Sequence, residues 1–415
     1  MRLAQVDAVS RAVQGSGMTT LVNTAHRPLL PILLALSGAH LLNDLISSMI
    51  PAMYPLVKEA YALDFTQVGL ITLAFQVTSS LLQPVLGFVT DHKPWPYAMV
   101  AGMAATLSGL LGFAFAGNYA TVLVSAGLVG LGSAVFHPEA TRMARHAAAG
   151  QHGFAQGIFQ IGGHAGYAAG PLLAAMIVVP RGQSSIAWMS VVALAAMVLM
   201  AWTGARYSEM RNSQIAAQNE RPAVTAEPIV PGKRILLAMT VLIVLLLSKN
   251  SYTAAFTSYY TFYLIEQFGV TVQVSQIMLF LYLVVGAAGV MIGGMVGDRI
   301  GRQRVIWISI LGSLPFTLLL PFVDLFWTGV LSVVIGLTMA SAFPSILIYA
   351  IDLVPHRVGL VGGLFYGLAF GLGGLAAAAV GALADHIGII AMFKFCAWLP
   401  ALGLLTFMLP QAKSE

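Results

Sequence analysis

Gly294-Met-Val-Gly-Asp298-Arg299-Ile-Gly301-Arg302-Gln-Arg304 stands between two long apolar runs, and 207 residues upstream Gly87-Phe-Val-Thr-Asp91 stands between two more. A helix end of the form Gly-x-x-x-Asp, used twice at one offset, marks an internal duplication. The same shift carries Glu59 onto Glu266, Asn43 onto Asn250, Phe136 onto Phe343 and Gly166 onto Gly373. The first copy departs after Asp91, where His92-Lys93-Pro94-Trp95-Pro96 replaces the basic turn. Parallel repeats of apolar helices suggest a central pathway between two bundles.

Composition says what surrounds those helices. Of 415 residues, 58% are hydrophobic and 8% are charged, against roughly 25% charged in a soluble domain. Thirty-five charges cannot cover a water-soluble surface of this size, and disorder needs the opposite composition. The mean hydropathy of +0.86 points to lipid as the main solvent. At about 20 residues per crossing, the apolar runs give twelve spans. They cover about 30–57, 66–90, 96–116, 119–145, 153–179 and 184–206, then about 233–265, 272–297, 303–322, 326–353, 358–383 and 388–409. The expected fold is an all-α integral membrane protein with two six-helix bundles, 29–206 and 233–410. Residues 1–28, with Arg2, Asp7, Arg11 and Arg27 and no continuous apolar run, read as a cytoplasmic tail and not a cleavable signal. The stretch 207–232 is polar, contains three prolines and reads as a linker.

Lys and Arg placement sets the topology. Sixteen of the 20 fall on one side: Arg2, Arg11 and Arg27 in the tail, then Lys93, Arg142, Arg145, Arg206, Arg211, Arg221, Lys233, Arg234, Arg299, Arg302, Arg304, Arg357 and Lys413. Lys58 and Arg181 lie opposite, and Lys249 and Lys394 fall within spans. Both termini are expected in the cytoplasm. The same asymmetry accounts for the net charge of +5 without a nucleic-acid partner. The single cysteine, Cys396, excludes a disulfide framework or thiolate metal cluster.

The 294–304 loop resembles the Gly-x-x-x-Asp-basic turn of the major facilitator superfamily, with Gln303 displacing the last basic residue by one. In span 5, Gly157-x8-Gly166-x3-Gly170-Pro171 resembles the signature of that superfamily's proton-coupled drug exporters, with Ala174-Ala175 at the usual final glycine pair. Over nearly the whole chain, His40-Leu-Leu-Asn43-Asp44, Phe136-His137-Pro138-Glu139 and Gly153-Phe-Ala-Gln156-Gly-Ile-Phe-Gln160-Ile-Gly-Gly163-His164 are similar to the fosmidomycin resistance family of bacterial inner-membrane exporters. That resemblance implies proton-driven antiport of a small phosphonate antibiotic.

Asp44 lies near the middle of span 1, where an ionised carboxylate needs water, a partner or a proton. His40 sits beside it at i, i+4. Burial disfavours a carboxylate's charge and a nearby cation favours it, so movement between such environments loads and releases a proton. The alternative is a static knot joining Asn43, Asp44 and Lys249. Lys249, with Tyr252 on the same polar stripe, can attract an anion, neutralise Asp44 or snorkel. Glu139 and Arg142 can pair at i, i+3 after Pro138, and with His137 they offer a proton relay or an anion contact. Their alternative is an ordinary charged helix end. Gln156, Gln160, His164 and Tyr167 share one face of span 5 and suit a polar ligand or helix packing. Gln76 lies on a further polar stripe of span 2. The proton-coupling candidates are therefore Asp44, His40 and Glu139. The substrate candidates are Asn43, Gln76, His137, Arg142, Gln156, Gln160, His164, Lys249 and Tyr252. Asp91 and Asp298 read as latches, pairing with basic residues such as Arg302 in one conformer.

No two histidines stand four apart on one helix, so neither a metal site nor a cofactor is expected. The partners expected are a small-molecule substrate, protons and membrane lipid, around a monomer. Proton-coupled import of a small anionic metabolite on the same fold is the competing reading, because fold does not fix direction. An enzyme using His137 and Glu139 as acid and base is a third. The sequence shows no nucleophile elbow and no phosphate-binding loop for it.

Overall fold

The computed structural model describes residues 29–92, 95, 97–148, 152–217, 232–354 and 358–409. Among these residues every regular element is helical, as expected where backbone polar groups meet lipid and must be satisfied within the segment. Ten helices are long and apolar enough to cross a membrane, and Ala98–Ala114 and Gly371–Ile387 are shorter apolar helices. The principal helices of the first half are α1 (Leu30–Ala52), α2 (Phe65–His92), α3 (Ala98–Ala114), α4 (Tyr119–Ala147), α5 (His152–Leu173) and α6 (Met189–Ala217). Those of the second half are α7 (Lys233–Phe268), α8 (Val272–Ile300), α9 (Arg302–Ile310), α10 (Leu325–Leu353), α11 (Val358–Ile387) and α12 (Ile389–Cys396). Short turns carry α9 on to Phe322 and α12 on to Met408. The first span is shorter than its apolar run, because the helix breaks at Met53 and restarts as a short helix at Tyr54–Ala60. In contrast, α6 continues to Ala217, into the polar stretch read as a linker; residues 218–231 lie outside the described part.

The duplication is visible in element boundaries. Moved by 207 residues, Phe65 falls on Val272, so the start of α2 lands on the start of α8. The same shift lays α4 on α10 within one residue at each end. Each of those two helices contains a proline, Pro138 and Pro344.

Helix starts on the face opposite the basic loops carry side-chain caps. Asn118 accepts from the Thr121 N–H at 2.9 Å and Asp324 from the Trp327 N–H at 2.9 Å. Thr271 caps Val274. Each cap satisfies an N–H that the helix itself leaves orphaned.

Two packing registers position the site. The Leu29 N–H donates to the Ala147 carbonyl at 2.9 Å, joining the basic-face ends of α1 and α4. Because the two helices run antiparallel, residues whose numbers sum to about the same value face each other, and His40 comes level with His137. Ten residues from Leu30 and ten from Ala147 place both rings about 15 Å along their helices. In a hydrocarbon layer about 30 Å thick, that is the middle. The second register joins α1 and α5, which run parallel. A Cβ on Gly162, Gly166 or Gly170 would lie 2.0 Å from the Ser37 carbonyl, 2.0 Å from the Leu41 carbonyl and 1.9 Å from Ser48 Oγ. Small residues there let the two backbones touch.

The halves meet through α2 against α11 and α5 against α8. Asp385, at the exposed end of α11, accepts from the Phe65 and Thr66 N–H groups at 2.7 Å each and from Thr66 Oγ1 at 2.6 Å. The Tyr259 hydroxyl reaches the Phe65 carbonyl at 3.1 Å and the Ala377 carbonyl at 2.7 Å. Thr72 meets Ser258 at 3.2 Å, and Gln276 donates to the Ala52 carbonyl at 2.8 Å. These side-chain hydrogen bonds lie toward the face opposite the basic loops and hold the halves together there.

Candidate functional site

α1 carries His40 and Asp44 one turn apart, and both face inward. His40 is 3% exposed and Asn43 is fully buried. The His40 ring stacks on Phe159 of α5 with centroids 4.1 Å apart, and its Nδ1 lies 2.9 Å from the Phe159 carbonyl. A Cβ on Gly163 would sit 2.4 Å from that ring, so glycine at 163 makes room for it. His40 Nε2 stands 3.2 Å from Asp44 Oδ2. On the other carboxylate oxygen, Asn43 Nδ2 donates at 3.0 Å and His137 Nε2 lies 3.7 Å away. The His137 Nδ1 is 2.9 Å from the Ser133 carbonyl, one turn back along α4. A buried carboxylate is costly unless paired and hydrogen-bonded. Asp44 has three polar neighbours and keeps 18% side-chain exposure; His137 keeps 24%. The group is largely buried yet not sealed.

His137, read in the sequence as a substrate contact, therefore belongs to the Asp44 cluster. Lys249 does not. No ion pair among the described residues joins it to Asp44, and its Nζ lies 5.5 Å from the Phe343 ring centroid. The polar group around Asp44 consists of His40, Asn43 and His137 and not of the alternative set with Lys249, because α4 rather than α7 presents its polar side chain to Asp44.

Two residues beyond His137, Glu139 is 1% exposed and pairs with Arg142 in the i, i+3 geometry expected from their spacing. On α5 the His164 Nδ1 lies 2.9 Å from the Gln160 carbonyl, and Gln156, Gln160 and His164 are half-buried. Tyr252 is buried within an aromatic group whose Phe256 stacks on Tyr260 and on Tyr282 at 4.5 Å each. Gln76 packs against Gly374 of α11. The buried Oδ1 of Asn43 and Oε1 of Gln76 have no hydrogen-bond partner among the described residues. The side chains of Asp91 and Asp298 lie outside the described part; Arg302 pairs with Asp352 at the end of α10.

The expectation of no metal site considered spacing along single helices. The structure assembles from two helices a group able to hold an ion, His40, Asp44 and His137, with ligand atoms within 4.8 Å of one another. Asp385 is a further polar contact that was not among the sequence candidates. Its signal was a carboxylate closing an otherwise apolar run of Ala, Gly and Leu.

Comparison with known proteins places this arrangement. The chain is 50% identical over 403 residues, 97% of its length and 98% of the relative's, to the fosmidomycin resistance protein of Escherichia coli strain K12. It is 40% identical over 381 residues, covering 92% and 93% of the two chains, to the uncharacterized MFS-type transporter YfnC of Bacillus subtilis strain 168. Among solved structures it superposes on an inward-facing bacterial homolog of the human lysosomal transporter Spinster with a TM-score of 0.69 at 14% identity, over 92% and 94% of the chains. The model of the Major Facilitator Superfamily matches residues 36–377 and 241–415. This helical, internally duplicated, multi-pass membrane protein belongs to the Major Facilitator Superfamily.

Proposed function

We propose that the chain exports a small polar drug, fosmidomycin-like phosphonates above all, across the bacterial inner membrane in exchange for protons. The observation that carries this reading is the 50% identity, over 97% of the chain, to a protein named for fosmidomycin resistance. Ten long and two shorter apolar helices support twelve crossings in two six-helix bundles of a monomer. The basic face is then cytoplasmic and carries both termini. The contacts that hold the halves together on the opposite face support a conformer open toward the cytoplasm.

In this scheme Asp44, held between His40 and His137, takes a proton when the cavity faces outward and gives it up to the cytoplasm. Glu139, buried beside Arg142, stands two residues past His137 on α4, about 3 Å farther toward the cytoplasm, and relays that proton. A phosphonate entering from the cytoplasm meets the half-buried amides and imidazole of Gln156, Gln160 and His164, and the cations Arg142 and Lys249. The buried acceptor atoms of Asn43 and Gln76 face hydrogen-bond donors of the cargo, and Tyr252 bounds the site. Rocking of the halves moves the same site to the other face. Because the cytosol is the alkaline side in respiring bacteria, proton entry drives drug exit.

The test is a susceptibility panel in a host lacking its own exporter, with phosphonates beside lipophilic cations and dyes. Protection confined to the phosphonates is expected. Protection against cations alone, or none at all, would overturn the assignment of cargo.

A further inference from the structure

Two imidazoles point the same nitrogen at one carboxylate. Each Nδ1 stands 2.9 Å from a carbonyl that can only accept, that of Phe159 for His40 and that of Ser133 for His137, and the Ser133 hydroxyl lies farther from the His137 Nδ1, at 3.2 Å. Each Nδ1 therefore carries the ring hydrogen and donates it. In a neutral ring the Nε2 then bears a lone pair. Both Nε2 atoms face Asp44, at 3.2 and 3.7 Å from its two oxygens. Three electron-pair donors thus converge on one space. Lone pairs gathered there repel one another unless a positive centre lies between them.

The surroundings are those of a ligand set. A metal-bound imidazole characteristically donates its far N–H to a carbonyl or carboxylate, which fixes tautomer and ring orientation, and both rings here do so. His40 is further held by the Phe159 stack and by the bare Cα of Gly163. Zinc binds imidazole nitrogen and carboxylate oxygen at about 2.0–2.2 Å in tetrahedral geometry, which sets neighbouring ligand atoms about 3.3 Å apart. The two N···O separations bracket that value. Magnesium and calcium need six or more oxygens, and this group offers one carboxylate and two nitrogens. Zinc-class ions take such mixed nitrogen and oxygen sets. Asp44 and His137 retain side-chain exposure, so an ion has a way in and a water can complete its shell.

We propose that His40 Nε2, Asp44 and His137 Nε2 form a binding site for a divalent transition-metal ion of the zinc class, with the fourth position open to the cavity. The ion ties α1 to α4 inside one half of the molecule, so the site persists while the halves move. Its consequence for transport rests on the proton reading above: an ion seated on Asp44 occupies the place a proton must take, and efflux stops.

Tag-free full-length protein in detergent, titrated with zinc in a calorimeter, tests the binding without any cargo, so failure of the efflux reading leaves this measurement untouched. One equivalent should bind, and magnesium should not. Cobalt in place of zinc should give the intense visible absorption of a four-coordinate ion, a readout that needs no variant. His137→Ala should weaken zinc binding by at least about tenfold, the loss typical of a disturbed ligand shell. His40→Ala combined with His137→Ala should abolish it, in protein that still elutes as a single species with unchanged helical content. No zinc binding by the wild type, a six-coordinate cobalt spectrum, or unchanged affinity in the double variant would overturn the proposal.

Discussion

Asp44→Asn keeps the hydrogen bond with Asn43 within reach but removes the charge and the titration. Gradient-driven efflux should fall to the level seen when the gradient is collapsed, with the protein still folded and inserted. Drug retention in energised cells checks this, and undiminished efflux would take Asp44 out of proton coupling. The i, i+4 pairing of His40 with Asp44 was legible in the sequence because both residues lie on one helix and spacing fixes their angle. The approach of His137 was not. Spacing within α4 says that His137 faces Ser133, but which neighbour α4 turns that face toward depends on the register with α1, set at Leu29 and Ala147. Lys249 is a like case: its depth was readable from the sequence, but the Phe343 ring it meets was not.

Helix α5 shows how little room the site has. Gly163→Ala drives a methyl into the His40 ring, and Gly170→Ala drives one into Ser48. Overpacking of this kind costs about 1–3 kcal/mol. Both variants should lower the detergent melting temperature, and Gly163→Ala should lower efflux more than Gly170→Ala because it displaces a ring on Asp44. Gly157→Ala meets nothing within 4 Å and should leave both unchanged, although Gly157 belongs to the same Gly/Pro run; equal loss in all three would refute this ranking. The apolar runs gave helix positions well, since a backbone in lipid has few alternatives. They failed at Met53, where α1 ends within hydrophobic sequence, and at Ala217, where helix outlasts hydrophobicity, because neither event changes the apolar pattern that marks a span. The α2 start was written locally: Asp64 caps Gln67 at 2.6 Å and Gln67 reaches back to the Asp64 N–H at 3.0 Å, a capping box.

At the scale of the molecule, one charged contact adds to the hydrogen bonds that hold the halves together on the face opposite the basic loops. Asp385 from the second half completes the N-terminus of α2 in the first. An exchanged N-cap is worth about 1 kcal/mol, a useful fraction of the few kcal/mol that separate the conformers of a switching protein. Asp385→Ala should favour the conformer open on that face. Deuterium uptake by the amides of Phe65 and Thr66 should rise, with that of Gln67, held by Asp64, less affected; uptake unchanged at all three would mean that the contact does not restrain opening. The duplication itself was readable from paired residues at a shift of 207. The crossing contact was not, since Asp385 and Thr66 stand 319 apart and only the packing of α2 on α11 brings them together.

The hydrogen bond from Leu29 to Ala147 has a further consequence, for chain length. It fixes the point from which α1 and α4 count toward each other. One residue inserted between Leu29 and His40 would turn the imidazole by about 100° and raise it by about 1.5 Å, and the carboxylate above it would swing with it. Substitutions between these landmarks are negotiable, but insertions and deletions are not. Divergent copies of this gene should conserve the counts from Leu29 to Asp44 and from His137 to Ala147 while varying in the connections between α1 and α4.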